Sequence, residues 1–349
     1  MTAFGDRRKR ILSLAKGKHV LALTAANVFY LTDFFGSGAA IVHPDRTTVL
    51  ASPLEADRAA EMCKEAEIVV VKKWKEASKE MEKLLGKGKV AVDSHDPRLE
   101  SRRFRVKPEL FLEARRTKDE LELQRIREAC AKTNKLYEAL TSEMRPGRTE
   151  WQLAAEVMKL ATEQGMSPSN SDSSLGPVII ASGPHGAYGH SELSDRSLQN
   201  GDFVVTDLFF RHEGYNSDET RTFAIGTVGA GMKRHYAVVK EAQAAALEMA
   251  REGVSCGEMN DAAVYVLKEN KMDKLLNHSV GHGVGIDIHE LPGIYKGNKV
   301  KLARNDVITD EPGVYLVGKY GIRIEDTLVV KGKKPEVLTR FTRDLVTCG

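Results

Sequence analysis

The sequence of 349 residues contains few cysteines, and those that it has lie far apart. No two of them are spaced as a Cys-x-x-Cys pair, so a zinc knuckle or a dithiol redox site is disfavoured. A disulfide framework is also disfavoured, because such frameworks are typical of short secreted chains. We therefore expect reduced, buried thiols in a reducing compartment, at Cys63, Cys130, Cys256 and Cys348.

Long apolar segments are absent as well. No stretch of about 18 apolar residues, the length that a membrane-spanning helix needs, occurs in the sequence. The apolar run after the basic segment Arg7–Arg10 is broken at Lys16–His19, whereas a secretory signal needs about 7–15 uninterrupted apolar residues. These absences predict a cytoplasmic protein that is not associated with a membrane.

The sequence also lacks an excess of either charge sign. It has 52 Lys and Arg against 49 Asp and Glu, which gives a formal net charge of +3. Nucleic-acid binding usually needs clustered excess basic charge, so we expect no such partner and interpret Arg7–Arg10 as a solvated terminus. Hydrophobic residues make up 42% of the sequence, which allows a substantial core, and the length suits two domains.

The first hundred residues alternate short apolar runs with helical patterns, which is typical of a small α/β domain. Helices are predicted over Glu55–Ala66, after a capping signal at Ser52-Pro53, and over Lys75–Leu85. Strands are predicted at Val20–Leu23, Ala39–Val42, Thr47–Ala51, Ile68–Val71 and Lys89–Val92. We place the domain boundary between residues 112 and 118, which gives domains of residues 1–115 and 116–349.

The second domain is predicted to begin with a capping box at Thr117–Glu120, which opens a long helix that Pro146-Gly147 ends. Arg145–Met166 and Arg251–Met272 align without gaps, and each contains a glycine, a Thr or Ser cap and a helix. The two windows are identical at only four positions, and four matches are also compatible with chance. A true repeat predicts a pseudo-symmetric α/β sandwich with a site where the two halves join.

Two predicted hairpins place acidic residues in apolar surroundings. In Gly201–Thr222, a turn centred on His212-Glu213 would put Asp207 directly opposite Asp218. Facing carboxylates repel each other, and burial adds to the cost, so we expect a cation between them or a protonated carboxyl group. For this pair alone, a turn residue and a strand-end cap remain the alternative interpretation.

The second hairpin, Thr309–Asp326, repeats the arrangement with longer side chains. A turn at Gly318–Gly321 would bring Glu311 close to Glu325 on the facing strand. The two hairpins together supply four acidic ligands, enough to hold two divalent cations about 3.5–4 Å apart.

Two glycine-rich segments carry histidines. The loop Ala181–His190 follows a predicted strand and contains His185 and His190, so it is a candidate wall of a site. The segment His278–Pro292 has three histidines within twelve residues, beside glycines that permit close approach of a metal or substrate. A single histidine is more often structural, but three so close together favour function. They are His278, His282 and His289.

Taken together, these segments resemble the metallopeptidase group that includes Xaa-Pro dipeptidase, aminopeptidase P and methionine aminopeptidase. The likeness extends over nearly the whole chain and is strongest at Asp207, Gly214–Phe223, Gly281–Pro292, Glu311–Tyr315 and Gly321–Asp326. The resemblance implies a creatinase-like α/β domain followed by a pseudo-symmetric pita-bread domain.

The resemblance also implies a centre for two divalent metal ions. Asp207 would chelate one ion, Asp218 and Glu325 would bridge both, and His282 and Glu311 would complete the shell of the second. An oxygen-rich set with one histidine suits Mn²⁺ and tolerates Co²⁺, Fe²⁺ or Zn²⁺.

By the same resemblance, a hydroxide shared by the metals would hydrolyse the peptide bond before proline, most readily in Xaa-Pro dipeptides. Glu311 would carry protons, His190 and His289 would bind substrate and stabilise the oxyanion, and Arg323 would orient the ligands. The N-terminal domain disfavours a methionine aminopeptidase and implies a homodimer. The alternatives are an aminopeptidase P acting on longer peptides and a non-catalytic peptide-binding module, which would be expected to lose ligands.

The chain departs from the family at Asp306 and Asp310, which stand near Glu311 where apolar residues are usual. Each extra acid is expected either to change the local charge or to face solvent.

Overall fold

The computed structural model describes residues 2–97, 99, 101–169 and 178–349. The chain divides into two compact units, Met1–Arg115 and Arg116–Gly349. All four cysteines are free thiols, and three are buried, but Cys63 is partly exposed, so the prediction of burial is wrong for that residue.

The first unit contains a six-stranded sheet in the order β4-β3-β2-β1-β5-β6, with antiparallel pairing along β1-β2-β3 and parallel pairing elsewhere. Its strands are β1 His19–Ala22, β2 Gly38–Val42, β3 Thr47–Ala51, β4 Ala66–Val70, β5 Val90–Val92 and β6 Phe104–Val106. Its helices are α1 Ala3–Ala15, α2 Ala25–Thr32, α3 Ala56–Met62, α4 Trp74–Leu85 and α5 Pro108–Arg116.

Helix α3 is shorter than predicted. It begins after Glu55, which is its N-cap, and it ends at Met62, so Ser52 does not cap it. Ala66, predicted as the end of this helix, begins β4 instead. The pairing of β4 with β3 is the reason, because it draws residues 66–70 into the sheet.

The second unit contains several sheets. The two largest have the strand orders β20-β12-β9-β8 and β14-β13-β15-β18-β19, and smaller sheets have the orders β11-β10-β7 and β16-β17. The strands of the first half are β7 Ser167–Pro168, β8 Ile179–Ser182, β9 Phe203–Leu208, β10 Phe210–His212, β11 Tyr215–Asn216 and β12 Glu219–Ile225. Those of the second half are β13 Gly281–Gly283, β14 Glu290–Ile294, β15 Val307–Asp310, β16 Gly313–Leu316, β17 Tyr320–Arg323, β18 Asp326–Val329, β19 Glu336–Val337 and β20 Thr347–Cys348.

The helices of the second unit are α6 Glu120–Glu143, α7 Glu150–Glu163, α8 Ala230–Met249 and α9 Cys256–Glu269. Helix α6 starts two residues later than predicted. Its capping box joins Asp119 to Glu122, because the Asp119 carboxylate accepts the Glu122 N–H at 3.0 Å and the Glu122 carboxylate accepts the Asp119 N–H at 3.0 Å. The prediction of Thr117 and Glu120 as the box is therefore wrong.

The repeat suggested by the sequence is present in the fold. Gly147 and Gly253 adopt positive φ angles of 90° and 87°, and each donates its N–H to a leucine carbonyl at 2.9 Å. Thr149 and Ser255 then form capping boxes at the starts of α7 and α9. Matching backbone conformations and caps in both halves are difficult to explain by chance.

Each half also has its own hydrophobic core. The first core joins α6 and α7 to the sheet that contains β9 and β12, with Leu136, Val157, Val204 and Phe223 among its buried residues. The second joins α8 and α9 to the sheet that contains β15 and β18, with Val239, Met259, Ile308 and Leu328 among its buried residues. Both helix pairs therefore press their apolar faces onto a sheet.

Candidate metal centre and active site

One cavity of about 380 Å³ is lined by all of the predicted site residues. These are His190, Asp207, Asp218, His282, His289, Glu311, Arg323 and Glu325. His185, which the structure also describes, is not among the residues that line this cavity. Sequence segments that are far apart therefore meet at one place in the second unit.

The first hairpin has a different register from the one predicted. Asp207 in β9 lies opposite Thr220 in β12, and Asp218 lies just before β12. Alternation along a strand places Asp218 on the same face as Thr220, so the two carboxylates are diagonal neighbours. The prediction that they lie directly opposite each other is wrong.

The turn explains this difference. It is centred on Glu213 and Gly214, with φ angles of 46° and 83°, between the paired residues His212 and Tyr215. Two consecutive positive φ angles are typical of the type I′ turn, which fits the twist of a two-residue hairpin. Moving the turn centre by one residue moves every cross-strand pair by two.

The second hairpin brings Glu311 and Glu325 together. Asp310 pairs with Asp326 between β15 and β18, and Gly313 pairs with Arg323 between β16 and β17. Glu311 and Glu325 lie between these two sets of pairs, on facing segments. Tyr320 already belongs to β17, so the turn is shorter than predicted.

His282 presents one ring nitrogen to the carboxylates. Its Nδ1 lies 3.0 Å from the carbonyl oxygen of Gly283, which can only accept, so Nδ1 carries the proton. The unprotonated Nε2 lies 3.5 Å from Asp218 Oδ2 and 3.3 Å from Glu311 Oε1. Burial lowers the pKa of His282, which favours the neutral form that binds metals.

Burial and neighbouring carboxylates make ionisation of the cavity's carboxyl groups unfavourable. Burial and the neighbouring Glu325 raise the pKa of Asp218 well above its usual value. Burial and the neighbouring Glu311 do the same to the pKa of Glu325, and burial also raises the pKa of Glu311. A bound cation would remove this penalty, because it favours the ionised form of every carboxyl group near it.

The donor atoms fit divalent metal ions. The ligand atoms of Asp218, His282 and Glu325 lie within 4.8 Å of one another. Asp207 Oδ1 is buried, and among the described residues no hydrogen-bond partner reaches it. A buried carboxylate oxygen without a partner is costly unless an ion satisfies it. The residues present therefore suit a cofactor of this kind.

Arg323 fixes the other oxygen of Asp207. Its guanidinium donates to Asp207 Oδ2 at 2.5 Å, to Thr220 Oγ1 at 3.1 Å and to the Tyr315 hydroxyl at 2.8 Å. Thr220 in turn donates to Glu325 Oε2 at 2.6 Å. One buried cation thereby links acidic side chains of both hairpins by charge-assisted hydrogen bonds.

Tyr315 and His278 extend this network. The histidine-rich segment predicted a function for His278, but the sequence assigned a specific role to neither residue. His278 Nδ1 lies 2.6 Å from the carbonyl oxygen of Ser279, so Nδ1 is the donor and Nε2 accepts from the Tyr315 hydroxyl at 2.9 Å. Burial lowers the pKa of His278, which agrees with a neutral ring. Tyr315 follows Glu311 closely in sequence, but nothing in that spacing indicates a partner in another segment.

His190 and His289 are exposed at the cavity, unlike the buried carboxylates. The ring of His289 meets that of His282 edge to face, with 4.4 Å between their centroids. The cavity also has an apolar wall, in which Ile179, Phe209 and Ile288 belong to one buried cluster. A small substrate would meet both polar and apolar groups there.

The two unusual acids are buried, so the alternative in which they face solvent is wrong for both. Asp306 is fully buried and pairs with Arg116 at 2.9 Å. Asp310 is fully buried, and within the described residues neither of its oxygens has a hydrogen-bond partner. Burial and the nearby Asp326 raise its pKa well above the usual value, which favours a neutral carboxyl group.

The model of metallopeptidase family M24 matches residues 124–332, which contain most of the cavity's polar groups. The chain belongs to metallopeptidase family M24. The creatinase/prolidase N-terminal domain matches residues 7–105. As an M24 metallopeptidase, the chain is a peptidase that uses divalent metal ions. No helix of the described residues has the length and apolar character that a membrane crossing requires.

Similar proteins cover almost the whole chain. A Xaa-Pro dipeptidase of Pyrococcus horikoshii is 30% identical over 99% of this chain and 100% of its own length. The structure of a Xaa-Pro dipeptidase from Bacillus anthracis superposes with a TM-score of 0.91 and 27% identity, covering 99% of each chain. An X-Pro aminopeptidase from Thermotoga maritima has a TM-score of 0.87 and 27% identity, over 97% of this chain and 99% of its own.

Proposed function

We propose that this M24 peptidase hydrolyses the peptide bond before proline in Xaa-Pro dipeptides and uses two divalent metal ions. The observation that carries the proposal is one buried cavity that collects four carboxylates and a neutral imidazole nitrogen. The dipeptidase names of relatives aligned over nearly the whole chain support the substrate class.

The metal ligands proposed from the sequence keep their assigned roles. Asp207 would bind one ion, His282 and Glu311 the other, and Asp218 and Glu325 both. Two such ions, when bound, lower the pKa of a water molecule and polarise a carbonyl oxygen. Carboxylate oxygens dominate the set, so Mn²⁺ is the first candidate and Co²⁺, Fe²⁺ and Zn²⁺ are the others.

Glu311 is proposed to move the proton. Its carboxylate lies 3.4 Å from the donating Thr309 hydroxyl and 3.3 Å from His282 Nε2. Burial raises its pKa, and a general acid or base works best when its pKa approaches the working pH. Glu311 would take a proton from the attacking water and return it to the leaving amine.

His190 and His289 are proposed to bind the substrate from the open side of the cavity, where their ring N–H groups can donate to the scissile carbonyl oxygen. Arg323 and Tyr315 hold Asp207 in one orientation. The apolar wall of Ile179, Phe209 and Ile288 offers contact to the proline ring.

An aminopeptidase P that acts on longer peptides is the second candidate function, since the aminopeptidase from Thermotoga maritima has a similar fold. We also propose that residues 1–115 form the creatinase-like domain and residues 116–349 the catalytic domain, in a cytoplasmic homodimer.

The test begins with protein stripped by a chelator and then supplied with Mn²⁺ or Co²⁺. We expect metal-dependent cleavage of Met-Pro and little cleavage of Arg-Pro-Pro, with two ions bound per chain by metal analysis. Glu311→Ala should lower kcat by about 10²–10⁴-fold, the usual contribution of a general acid or base. Glu138→Ala, at an exposed site on α6, is the matched control.

Preferential cleavage of the tripeptide would replace the dipeptidase with the aminopeptidase P alternative. Binding of two metal ions without cleavage of either peptide would mean that the substrate class is wrong. Binding of fewer than two ions at saturation would contradict the two-metal centre itself.

A further inference from the structure

The loop of residues 284–289 joins β13 to β14 and carries His289 at its end. The ring of His289 packs against the ring of His282. A shift of this loop would therefore move a proposed substrate-binding group relative to a proposed metal ligand. What holds the loop is consequently important for the reaction.

Buried polar side chains fix the backbone of the loop. The amide of Asn216, which is fully buried, donates to the carbonyl oxygens of Gly285 at 3.0 Å and Ile286 at 2.8 Å. The Glu290 carboxylate accepts the N–H of Asp287 at 3.1 Å. A Cβ atom on Gly285 would lie 2.4 Å from the same carboxylate, so Glu290 fills the space directly beneath the loop.

The other oxygen of Glu290 binds Lys118. The Lys118 ammonium donates to Glu290 Oε2 at 2.9 Å, and each side chain is only 1% exposed. Lys118 is itself fixed, because its ammonium also donates to the carbonyl of Arg116 at 3.1 Å and its backbone N–H donates to Asn305 at 2.9 Å. A buried, well-anchored cation is thus attached to the residue that follows His289.

Stability alone is a weak explanation for such a pair. Removing two charges from water costs several kcal/mol per ion, and neutral residues of similar volume often replace a buried ion pair without loss of stability. The directional hydrogen bonds, in contrast, fix where Glu290 and the loop above it lie. A positioning role therefore explains the pair better than a stabilising one.

We infer that the buried Lys118–Glu290 ion pair is a positioning device, which holds the loop of residues 284–289 so that His289 faces the cavity. The inference rests on the proposed function only for the role of His289 in binding substrate. Lys118 and Glu290 act through His289 and do not themselves touch the reacting atoms.

The main test is the double variant Lys118→Met with Glu290→Gln, which removes both charges and keeps similar volumes. Each single variant leaves one buried charge unpaired and should unfold at a lower temperature. The double variant should recover the thermal stability and the metal content. Its kcat/KM for Met-Pro should nevertheless stay about 10–100-fold below the wild-type value, as for other residues that orient an active group.

A mutant cycle with His289→Ala connects this loss to the histidine. In the His289→Ala background, the double variant should cause little further loss of activity, because the group that it positions is already missing. The matched control is Arg127→Met with Glu336→Gln, which removes a partly buried ion pair between α6 and β19. That control should change the stability and leave the kcat unchanged.

A second readout needs neither metal nor activity. In metal-free protein labelled with ¹⁵N-histidine, the His289 ring signals can be assigned among the ten histidines by their loss in His289→Ala. They should shift or broaden in the Lys118/Glu290 double variant and stay unchanged in the Arg127/Glu336 control. If the double variant does not fold, Glu290→Gln alone is used for the same measurements.

Unchanged His289 signals, or activity losses that simply add in the cycle, would overturn the inference. If the wild-type protein does not cleave Met-Pro but the double variant shows the expected NMR changes, the proposed function is refuted and the positioning role is supported. The two failures are therefore distinguishable.

Discussion

The carboxylates of the cavity and its exposed histidines are held in place in different ways. Asp207 lies within β9, and Glu325 lies between β17 and β18, so backbone pairing fixes their positions. His190 and His289 lie in loops, and hydrogen bonds to buried charged side chains fix those loops. The proposed metal ligands thus lie within or directly beside paired strands, whereas the proposed substrate-binding groups lie in anchored loops.

The loop of His190 has an anchor that resembles the Lys118–Glu290 pair in purpose but not in chemistry. Glu150, in the first turn of α7, is fully buried and accepts hydrogen bonds from Ser182 and Ser194, which bracket the loop. Backbone N–H and hydroxyl groups of both serines approach it at 2.6–3.0 Å. Here neutral donors, and not a cation, form most of the hydrogen bonds to the buried Glu150 carboxylate.

Among the proposed variants, Glu325→Gln should have the largest effect on activity. We expect about a thousandfold lower kcat/KM, because the loss of a bridging ligand removes several kcal/mol of transition-state stabilisation. Metal analysis should show weaker binding of at least one ion. Activity within tenfold of the wild-type value would contradict a bridging role for this residue.

The same variant tests the electrostatic cost of the carboxylates that line the cavity. The folded pKa values of Asp218, Glu311 and Glu325 are raised above the unfolded values of 3.8 and 4.5, so the metal-free protein binds protons more tightly when folded. Stability from these groups is fully present below the unfolded pKa values and is lost as the pH rises through the folded ones. Each titrating group contributes up to about 1.4 kcal/mol per pH unit.

Glu325→Gln should consequently flatten the fall in Tm of the chelator-treated protein as the pH rises above about 4.5, because one of these groups no longer titrates. Calorimetry at several pH values measures this slope. Equal slopes in the variant and the wild type would mean that the carboxylates are not strained in the metal-free protein.

On the loop side, His190→Asn should have an intermediate effect. Removal of one donor to the developing oxyanion typically costs about 10²–10³ in kcat. The metal content and the Tm should stay at wild-type values, which separates this variant from Glu325→Gln. Tyr188→Phe, at an exposed position in the same loop but outside the cavity lining, is the matched control and should retain nearly full activity.

Glu150→Gln should have the smallest effect on activity. The amide group would present N–H donors to serine groups that also donate, so the free energy of unfolding should fall by about 1–3 kcal/mol. We expect kcat/KM to fall by about tenfold through misplacement of His190. If Glu150→Gln lowers activity by the same factor in the His190→Asn background, the anchor does not act through His190.

The sequence motifs identified which side chains gather at the cavity, but not how the strands align them. The apolar runs and the acidic residues within them predicted both hairpins, since burial and alternation are local properties of the chain. The alignment of Asp207 depended on a turn at Glu213-Gly214, where a non-glycine residue adopts a positive φ angle. Glycine at the second turn position favours Glu213-Gly214 over His212-Glu213, and the prediction did not use that signal.

The anchors of the loops were also missed. Glu290 lies within the segment Gly281–Pro292 and Lys118 within the predicted capping box Thr117–Glu120. No local pattern joins them, because the partners are 172 positions apart. Likewise, Tyr315 lies in the second hairpin and His278 lies before β13, so the two meet only through tertiary packing. Pairs of this kind arise from tertiary packing and leave no local periodicity.

The two glycines that flank His282 limit how this centre can change. A Cβ atom on Gly281 would lie 2.2 Å from the carbonyl oxygen of Thr309, and one on Gly283 would lie 2.2 Å from that of Leu291. Strand β13 therefore packs so closely against neighbouring backbones that no room remains for a side chain at Gly281 or Gly283. Protein engineers who seek another metal preference would have to exchange donor atoms, because the strand that carries the imidazole cannot be moved by substituting its neighbours.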